Sequence, residues 1–217
     1  MRRATLGGRS ISSRRGFLEL GGVALAGAVI SLAGCDAPSS SGGATTSFKG
    51  IDITGAEYAR TLSLTDQNGQ PRTLADFKGK VTVVFFGFTQ CPDVCPMTMA
   101  ELAQVKTSLG KDGERVQGVF VTVDPERDTA AVLKTYMSGF DPSFVALHGS
   151  PEEIAATAKE FKVFYAKVPG KAEGSYSVDH TAGSYVFDAR GKVRLFIRYG
   201  SGAEALAADL KTLLASG

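Results

Sequence analysis

Residues 81–96 read VTVVFFGFTQCPDVCP and combine a long apolar run with a closely spaced cysteine pair. Residues 81–89 are β-branched or aromatic almost throughout, which is typical of a central strand that is buried on both faces. Cys91 and Cys95 follow, each directly before a proline. Proline disfavours the α conformation in the residue before it, and Pro96 suits the first position of a helix. The sequence therefore predicts a buried strand, then a loop that carries both cysteines, then a helix that ends near Leu109.

Strands and helices alternate beyond this stretch. Ser150, Pro151 and Glu153 have the pattern of a helix start with a capping box, and Ser201 is expected to cap a terminal helix. Periodicity and turn residues predict the following elements in order: strand 116–123, helix 129–138, strand 144–147, a helix after Ser150, strands 178–187 and 192–199 around the turn 188–191, and a helix to about residue 214.

An N-terminal hairpin is predicted before the central strand. Segments 62–66 and 72–74 flank Asn68 and Gly69, a pair that supplies the positive φ angles of a tight primed turn. The complete order of elements is similar to the thioredoxin-like arrangement. We therefore expect an α/β fold with a central mixed sheet flanked by helices and an N-terminal β-hairpin extension.

Length and charge limit the function classes. The chain has 217 residues and a mass of 22.7 kDa, which fits one domain plus a tail. Residues 1–34 carry five arginines and one acid, so removing them from the 24 basic and 22 acidic residues leaves 19 and 21. A slightly acidic domain excludes an electrostatic case for nucleic-acid binding. The three cysteines are too few for a disulfide scaffold.

The first 34 residues are predicted to be a signal peptide. Arg14 and Arg15 precede an uncharged run, 20–34, that is too short to span a bilayer. The arginine pair resembles a twin-arginine signal, although Sec signals also contain such pairs. Leu-Ala-Gly-Cys, ending at Cys35, resembles the lipobox of bacterial lipoproteins, in which this cysteine is acylated. Asp36 then implies retention on the outer (periplasmic) face of the inner membrane of the cell envelope. We therefore expect residues 35–50 to be the lipidated cysteine and a flexible tether, and residues 51–217 to be the functional domain.

The cysteine pair has two chemical readings. Unpaired N–H groups at a helix N-terminus stabilise thiolate, whereas Asp93 adds a nearby negative charge that opposes this effect. Thioredoxin-type enzymes have two residues between their cysteines. The three between Cys91 and Cys95 make a wider loop, which can close a disulfide if the Cα atoms approach within ~7 Å, or can chelate a metal.

Three separated motifs resemble the Sco/SenC family of copper-binding proteins that help to assemble cytochrome c oxidase. They are CPDVCP at 91–96, VDPERDT at 123–129 and VDHT at 178–181, and the resemblance covers about residues 50–215. It implies that Cys91, Cys95 and His180 bind copper. It also implies that the protein delivers copper to the dinuclear copper centre of the oxidase, or reduces the cysteines of that centre.

The donor set itself favours a soft metal. Two thiolates and one imidazole suit Cu(I), and an added oxygen ligand allows Cu(II). Zinc also occurs in Cys₂His sites with one open position, so it stays as the less favoured alternative. His180 lies more than eighty residues from Cys91 in sequence. The interpretation therefore requires the fold to bring them together.

We expect a membrane-tethered, non-enzymatic metallochaperone that exchanges copper with cytochrome c oxidase subunit II and receives it from an unidentified copper donor. The alternative is a thiol:disulfide oxidoreductase in which Cys91 attacks and Cys95 resolves.

Two observations disfavour other thiol enzymes. Thioredoxin-type enzymes place a cis-proline just before the hairpin strand, where this chain has residues 179–181, and peroxiredoxins need threonine where this chain has Phe88.

Several other residues are given structural roles. Asp128 or Thr129 is expected to cap the following helix. For Asp124 the alternative to capping is a role near the metal site, orienting a ligand or steering a partner. Met97 and Met99 are expected to fill the core and are excluded as ligands. Segment 169–174 is expected to be a mobile loop beside the site, and nothing near His148 suggests chemistry.

Overall fold

The computed structural model describes residues 47–216. The predicted signal peptide, Cys35 and most of the predicted tether lie outside the described residues. The described part contains ten strands and four α-helices: β1 (Ile51–Asp52), β2 (Ser63–Asp66), β3 (Pro71–Thr73), β4 (Val81–Gly87), α1 (Val94–Ser108), β5 (Val116–Thr122), α2 (Ala130–Ser138), β6 (Val145–His148), α3 (Pro151–Glu160), β7 (Tyr165–Pro169), β8 (Tyr176–His180), β9 (Gly183–Phe187), β10 (Val193–Arg198) and α4 (Ala203–Ala215).

Eight strands form one mixed sheet in the order β1-β10-β9-β4-β5-β6-β2-β3. The pairs β4–β5 and β5–β6 are parallel and the remaining pairs are antiparallel. Every residue of β4 is buried, as predicted, because both faces of this strand are covered. Phe85 packs against Phe120 on one face, and Phe86 packs against Phe161 on the other. The mixed sheet flanked by helices is therefore confirmed.

One predicted strand, 178–187, is wrong, because the chain changes partners within it. Residues up to His180 pair with β7, which the sequence analysis did not predict, in a separate two-stranded sheet. The Thr181 N–H still donates to the Phe164 carbonyl, whereas the Ala182 carbonyl accepts from Tyr199 beyond β10. From Gly183 onward, β9 belongs to the main sheet. A break in pairing leaves no trace in a continuous run of strand-forming residues.

The helix starts are partly as predicted. The capping box at Ser150 and Glu153 is confirmed, with proline in the first turn of α3. Helix α1 begins at Val94 and not at Pro96, so Cys95 lies inside the first helical turn. Helix α4 begins after Gly202, whose φ of 88° suits glycine, so Ser201 is not the cap. Among residues 47–216, no helix is long and apolar enough to cross a membrane.

Both ends of the main sheet are built by N-terminal segments. The predicted hairpin β2–β3 is confirmed and joins the sheet through β6, although only Gly69 of the predicted turn pair has a positive φ, of 79°. At the opposite edge β1 pairs with β10. The N–H groups of Lys49 and Gly50 each donate to the buried Asp209 carboxylate at 2.7 Å. These contacts bind the end of the predicted tether segment to α4.

Candidate metal centre

The structure brings Cys91, Cys95 and His180 together at the end of β4. Cys91 lies in the loop between β4 and α1, Cys95 is the second residue of α1, and His180 is the last residue of β8. One ligand atom from each residue lies within 4.8 Å of the other two. Elements separated by more than eighty residues therefore place two sulfurs and one imidazole nitrogen at one point.

The distances fit one shared ion after small adjustments. The Cys95 Sγ lies 3.3 Å from the His180 Nε2, and the backbone N–H of Cys95 donates to the Cys91 Sγ at 3.4 Å. Both cysteines are free thiols. Metal–ligand bonds of about 2.0–2.3 Å allow two donors of one ion to be at most roughly 4.6 Å apart. The 4.8 Å within which all three atoms lie exceeds that limit by only about 0.2 Å.

The imidazole of His180 is oriented by its own backbone neighbour. Its Nδ1 lies 3.1 Å from the Thr181 carbonyl, which can only accept, so Nδ1 carries the proton and Nε2 presents its lone pair to the thiols. The rings of Phe85 and Phe88 meet the imidazole edge-on, with centroid distances of 5.8 and 5.9 Å. Burial lowers the pKa of His180, so the ring stays neutral and able to bind metal.

The two cysteines have different environments. Cys95 is fully buried, and this burial raises the pKa of its thiol. Cys91 is half-buried and lines an open groove with Pro92, Val94 and Phe164. Its sulfur also accepts the backbone N–H of Cys95 from the first turn of α1. A partner or reagent therefore meets Cys91 first.

Comparison with known proteins identifies the family. The model of the family described as SCO1/SenC matches residues 52–215. The chain belongs to the SCO1/SenC family. The SCO2-like protein of Rickettsia felis is 40% identical over 132 residues, which cover 60% of this chain and 64% of that protein, so the match spans just under two thirds of this curated relative.

Solved structures of the same family share this fold. Copper-bound ScoI of Bradyrhizobium japonicum is 44% identical with a TM-score of 0.65, and the match covers 70% of this chain and 97% of that chain. A SCO1/SenC family lipoprotein of Bacillus anthracis is 31% identical with a TM-score of 0.59, covering 70% and 92%. The predicted thioredoxin-like α/β fold is therefore confirmed.

Asp128 of this SCO1/SenC chain does not cap α2, because its carboxylate is used elsewhere. It accepts hydrogen bonds from the Thr89 N–H at 3.0 Å, the Thr89 hydroxyl at 2.5 Å and the Thr122 hydroxyl at 2.6 Å. Burial raises the pKa of Asp128. Thr129 is the N-cap, and its hydroxyl accepts from Val132. The Asp128 carboxylate therefore links the segment before Cys91 to the end of β5 through hydrogen bonds.

Asp124 is buried and forms an ion pair with Arg127. It also accepts a hydrogen bond from the Tyr176 hydroxyl at 2.8 Å. Sequence reasoning gave no role to Arg127, although it lies inside the VDPERDT motif, and no sequence signal pointed to Tyr176. The hypothesis that Asp124 serves the metal site therefore involves two residues that only the structure identifies.

The remaining predictions have mixed outcomes. Met99 is fully buried, as predicted, but Met97 is 57% exposed, so its assignment to the core is wrong. Pro169 belongs to β7 and pairs with Tyr176, at the opposite end of the hairpin from His180. Tyr176 lies four residues before His180, which is about 13 Å along a strand, so the predicted loop is not beside the site.

Proposed function

We propose that this SCO1/SenC protein binds copper through Cys91, Cys95 and His180 and passes it to the dinuclear copper centre of cytochrome c oxidase. The observation that supports this most directly is the position of the three ligand atoms within 4.8 Å of one another. The copper-bound ScoI relative supports copper as the ion. The resemblance of the three motifs to a family of oxidase assembly factors supports the oxidase as the acceptor.

The donor chemistry supports copper over zinc. Two thiolates and one neutral imidazole are soft enough for three-coordinate Cu(I), and the open groove beside Cys91 leaves room for an oxygen ligand to Cu(II). Zinc accepts the same donors in tetrahedral sites, so it is the competitor to test. The neutral imidazole, held with Nε2 towards Cys95, needs no proton loss before it binds.

The proposed transfer is a stepwise, non-enzymatic ligand exchange. Cys91 borders the open groove while Cys95 is fully buried, so an incoming thiolate from oxidase subunit II displaces Cys91 before Cys95. Oxidation of Cys91 and Cys95 to a disulfide removes two ligands, which couples copper loading to the redox state of the pair. The protein receives copper from a separate donor, which is a second protein or a chelate.

A second function, thiol:disulfide exchange, is supported by the asymmetry of the two thiols. Cys91 lines the open groove and accepts the Cys95 N–H, so it is the sulfur that an incoming disulfide meets first. Cys95 is buried directly behind it, as a resolving thiol requires. In this role the protein reduces the cysteines of the oxidase copper centre and has no use for His180.

A copper titration separates the two functions. The reduced full chain, purified in detergent, is titrated anaerobically with Cu(I) against a chromophoric chelator, beside a disulfide-exchange assay with an oxidized peptide from oxidase subunit II. We expect one copper per chain and a loss of affinity of at least about tenfold in His180→Ala, with unchanged exchange activity. His148→Ala, which removes the chain's other histidine, is the matched control. Equal copper affinity in wild type and His180→Ala would remove the histidine from the site. Absence of copper binding by the wild type, with exchange activity intact, would leave thiol exchange as the function.

We also propose that the domain is tethered to the periplasmic face of the inner membrane through a lipid on Cys35. The lipobox-like sequence that ends at Cys35 supports this, and the B. anthracis relative is a family lipoprotein. Cys35→Ser should move the protein from the membrane fraction to the soluble fraction. A variant that stays in the membrane fraction without a lipid would show that another segment is the anchor.

A further inference from the structure

The hairpin that carries His180 lies outside the main sheet. Strands β7 and β8 pair only with each other, so no sheet hydrogen bond fixes β8 to the strands that position Cys91 and Cys95. Chain continuity holds His180 near β9, which begins at Gly183, so contacts made by the rest of the hairpin influence how β8 presents the imidazole to the thiols. A residue that supplies such contacts therefore contributes to the geometry of the site.

Arg127, in the loop between β5 and α2, supplies several of these contacts. Its guanidinium carbon lies 3.6 Å from the centre of the Tyr176 ring, and its Nη1 donates to the Tyr176 carbonyl at 2.9 Å. Its Nε donates to the buried Asp124 carboxylate, which also accepts from the Tyr176 hydroxyl at 2.8 Å. Arg127 and Asp124 thus bind the backbone, the ring and the hydroxyl of one residue of β8.

The same guanidinium also reaches the cysteine side of the site. Its Nη1 lies 3.2 Å from the Gln90 Oε1, next to Cys91 in the chain. The guanidinium carbon lies 5.9 Å from the ring centre of Phe88, one of the two aromatic rings that contact the His180 imidazole. One planar cation therefore contacts both segments that supply the ligands.

Another ion pair between these elements is too weak to replace Arg127. Lys167 on β7 and Glu126 are paired at 2.6 Å, but their side chains are 49% and 59% exposed. Exposed pairs contribute little to stability because water screens them and both side chains lose entropy. The Arg127 side chain is 20% exposed and its partner Asp124 is fully buried, so this pair is much less screened.

We infer that Arg127 is a positioning residue, which holds the His180 imidazole at the dithiol through Tyr176 and Asp124. The inference rests on the proposed copper function. Arginine is required because one flat guanidinium stacks on a ring while its N–H groups donate in three directions. A lysine has a point charge and cannot make these contacts together. Arg127 binds no copper itself, and its effect passes through His180.

A double-mutant cycle tests this. Cu(I) affinity is measured for the full chain in detergent, as wild type, Arg127→Ala, His180→Ala and the double variant. We expect Arg127→Ala to lower affinity by about 10- to 100-fold, as loss of an orienting partner does at metal sites, and Arg127→Lys not to restore it. In the His180→Ala background the same substitution should change affinity by no more than about twofold. X-ray absorption of copper-loaded Arg127→Ala should show the imidazole contribution reduced.

Controls keep the outcomes distinct. Arg72→Ala breaks a comparable ion pair to a buried carboxylate, Asp66, in the β2–β3 hairpin, and should leave copper affinity unchanged. If Arg127→Ala does not fold, Tyr176→Leu removes the stacking surface and keeps the Arg127–Asp124 pair, and should weaken copper binding in the same direction. Wild-type affinity in a folded Arg127→Ala variant, or an equal loss with and without His180, would overturn the inference. Failure of wild type to bind copper would instead overturn the proposed function.

Discussion

Replacing Gly87 by alanine should disturb the candidate site through packing alone. Gly87 is the last residue of β4, and its backbone suits any residue. A Cβ added there would lie 2.9 Å from the Cys95 Sγ, 2.8 Å from Phe85 and 3.0 Å from Phe120. All three neighbours are fully or almost fully buried, so none can turn towards solvent.

The size of the effect follows from these distances. Ordinary contacts at such a position are 3.4–4 Å, so the neighbours must move by about 0.5 Å or more in a close-packed region. Adding a methyl group to a packed core costs about 1–3 kcal/mol, which for a domain of this size lowers Tm by roughly 2–12 °C. Movement of Cys95 away from His180 should also lower Cu(I) affinity by about tenfold.

Gly118→Ala is the matched control. Its added Cβ would lie 2.7 Å from the Phe144 ring, so it is equally crowded, but Gly118 pairs with Val83, four residues before Gly87 and about 13 Å along the strand. Thermal unfolding and competitive Cu(I) titration are run on both variants. Both should be destabilised, and only Gly87→Ala should lose copper affinity. An unchanged Tm and affinity in Gly87→Ala, or equal copper losses in both variants, would refute the reasoning.

Three further predictions concern the metal-free protein. Burial lowers the pKa of His180 below 6.5, so the free energy of unfolding should fall as pH drops below about 6.5, where the unfolded chain takes up the extra proton. Burial raises the pKa of Cys95 above 9.0, so the free energy of unfolding should fall again as pH rises above about 9, where only the unfolded thiol ionises. Urea unfolding from pH 5 to 10 tests this, and His180→Ala should flatten the acid limb while Cys95→Ser flattens the alkaline limb. Asp209→Ala should lower the free energy of unfolding by about 1–3 kcal/mol and expose the segment before β1 to limited proteolysis, because two backbone N–H groups lose their acceptor. Resistance to proteolysis equal to that of wild type would contradict this. Tyr185→Phe should lower the free energy of unfolding in urea by about 1–2 kcal/mol, because the buried Phe161 carbonyl loses its hydrogen-bond donor. A stability equal to that of wild type would show that water replaces the Tyr185 hydroxyl.

The local part of the site could be predicted from sequence because its causes are local. Consecutive β-branched and aromatic residues make β4 a buried strand, and the prolines after Cys91 and Cys95 restrict the backbone there. The start of α1 was misjudged by two residues, because a proline is tolerated anywhere in the first turn. The choice of His180 as third ligand came from motif resemblance, since no local pattern links it to the cysteines.

Local sequence patterns are enough to predict the buried central strand, the alternation of strands and helices, and the cysteine loop at the end of β4. Three features depend on long-range packing: the break in the strand predicted at 178–187, the separate sheet of β7 and β8, and the contacts of Arg127 with this sheet and with the segment before Cys91. The physical reason is the range of the interactions. Periodicity and turn chemistry act over a few residues, whereas hydrogen-bond partners of a strand edge and the stacking of a guanidinium on a ring depend on residues that meet only after the chain has folded.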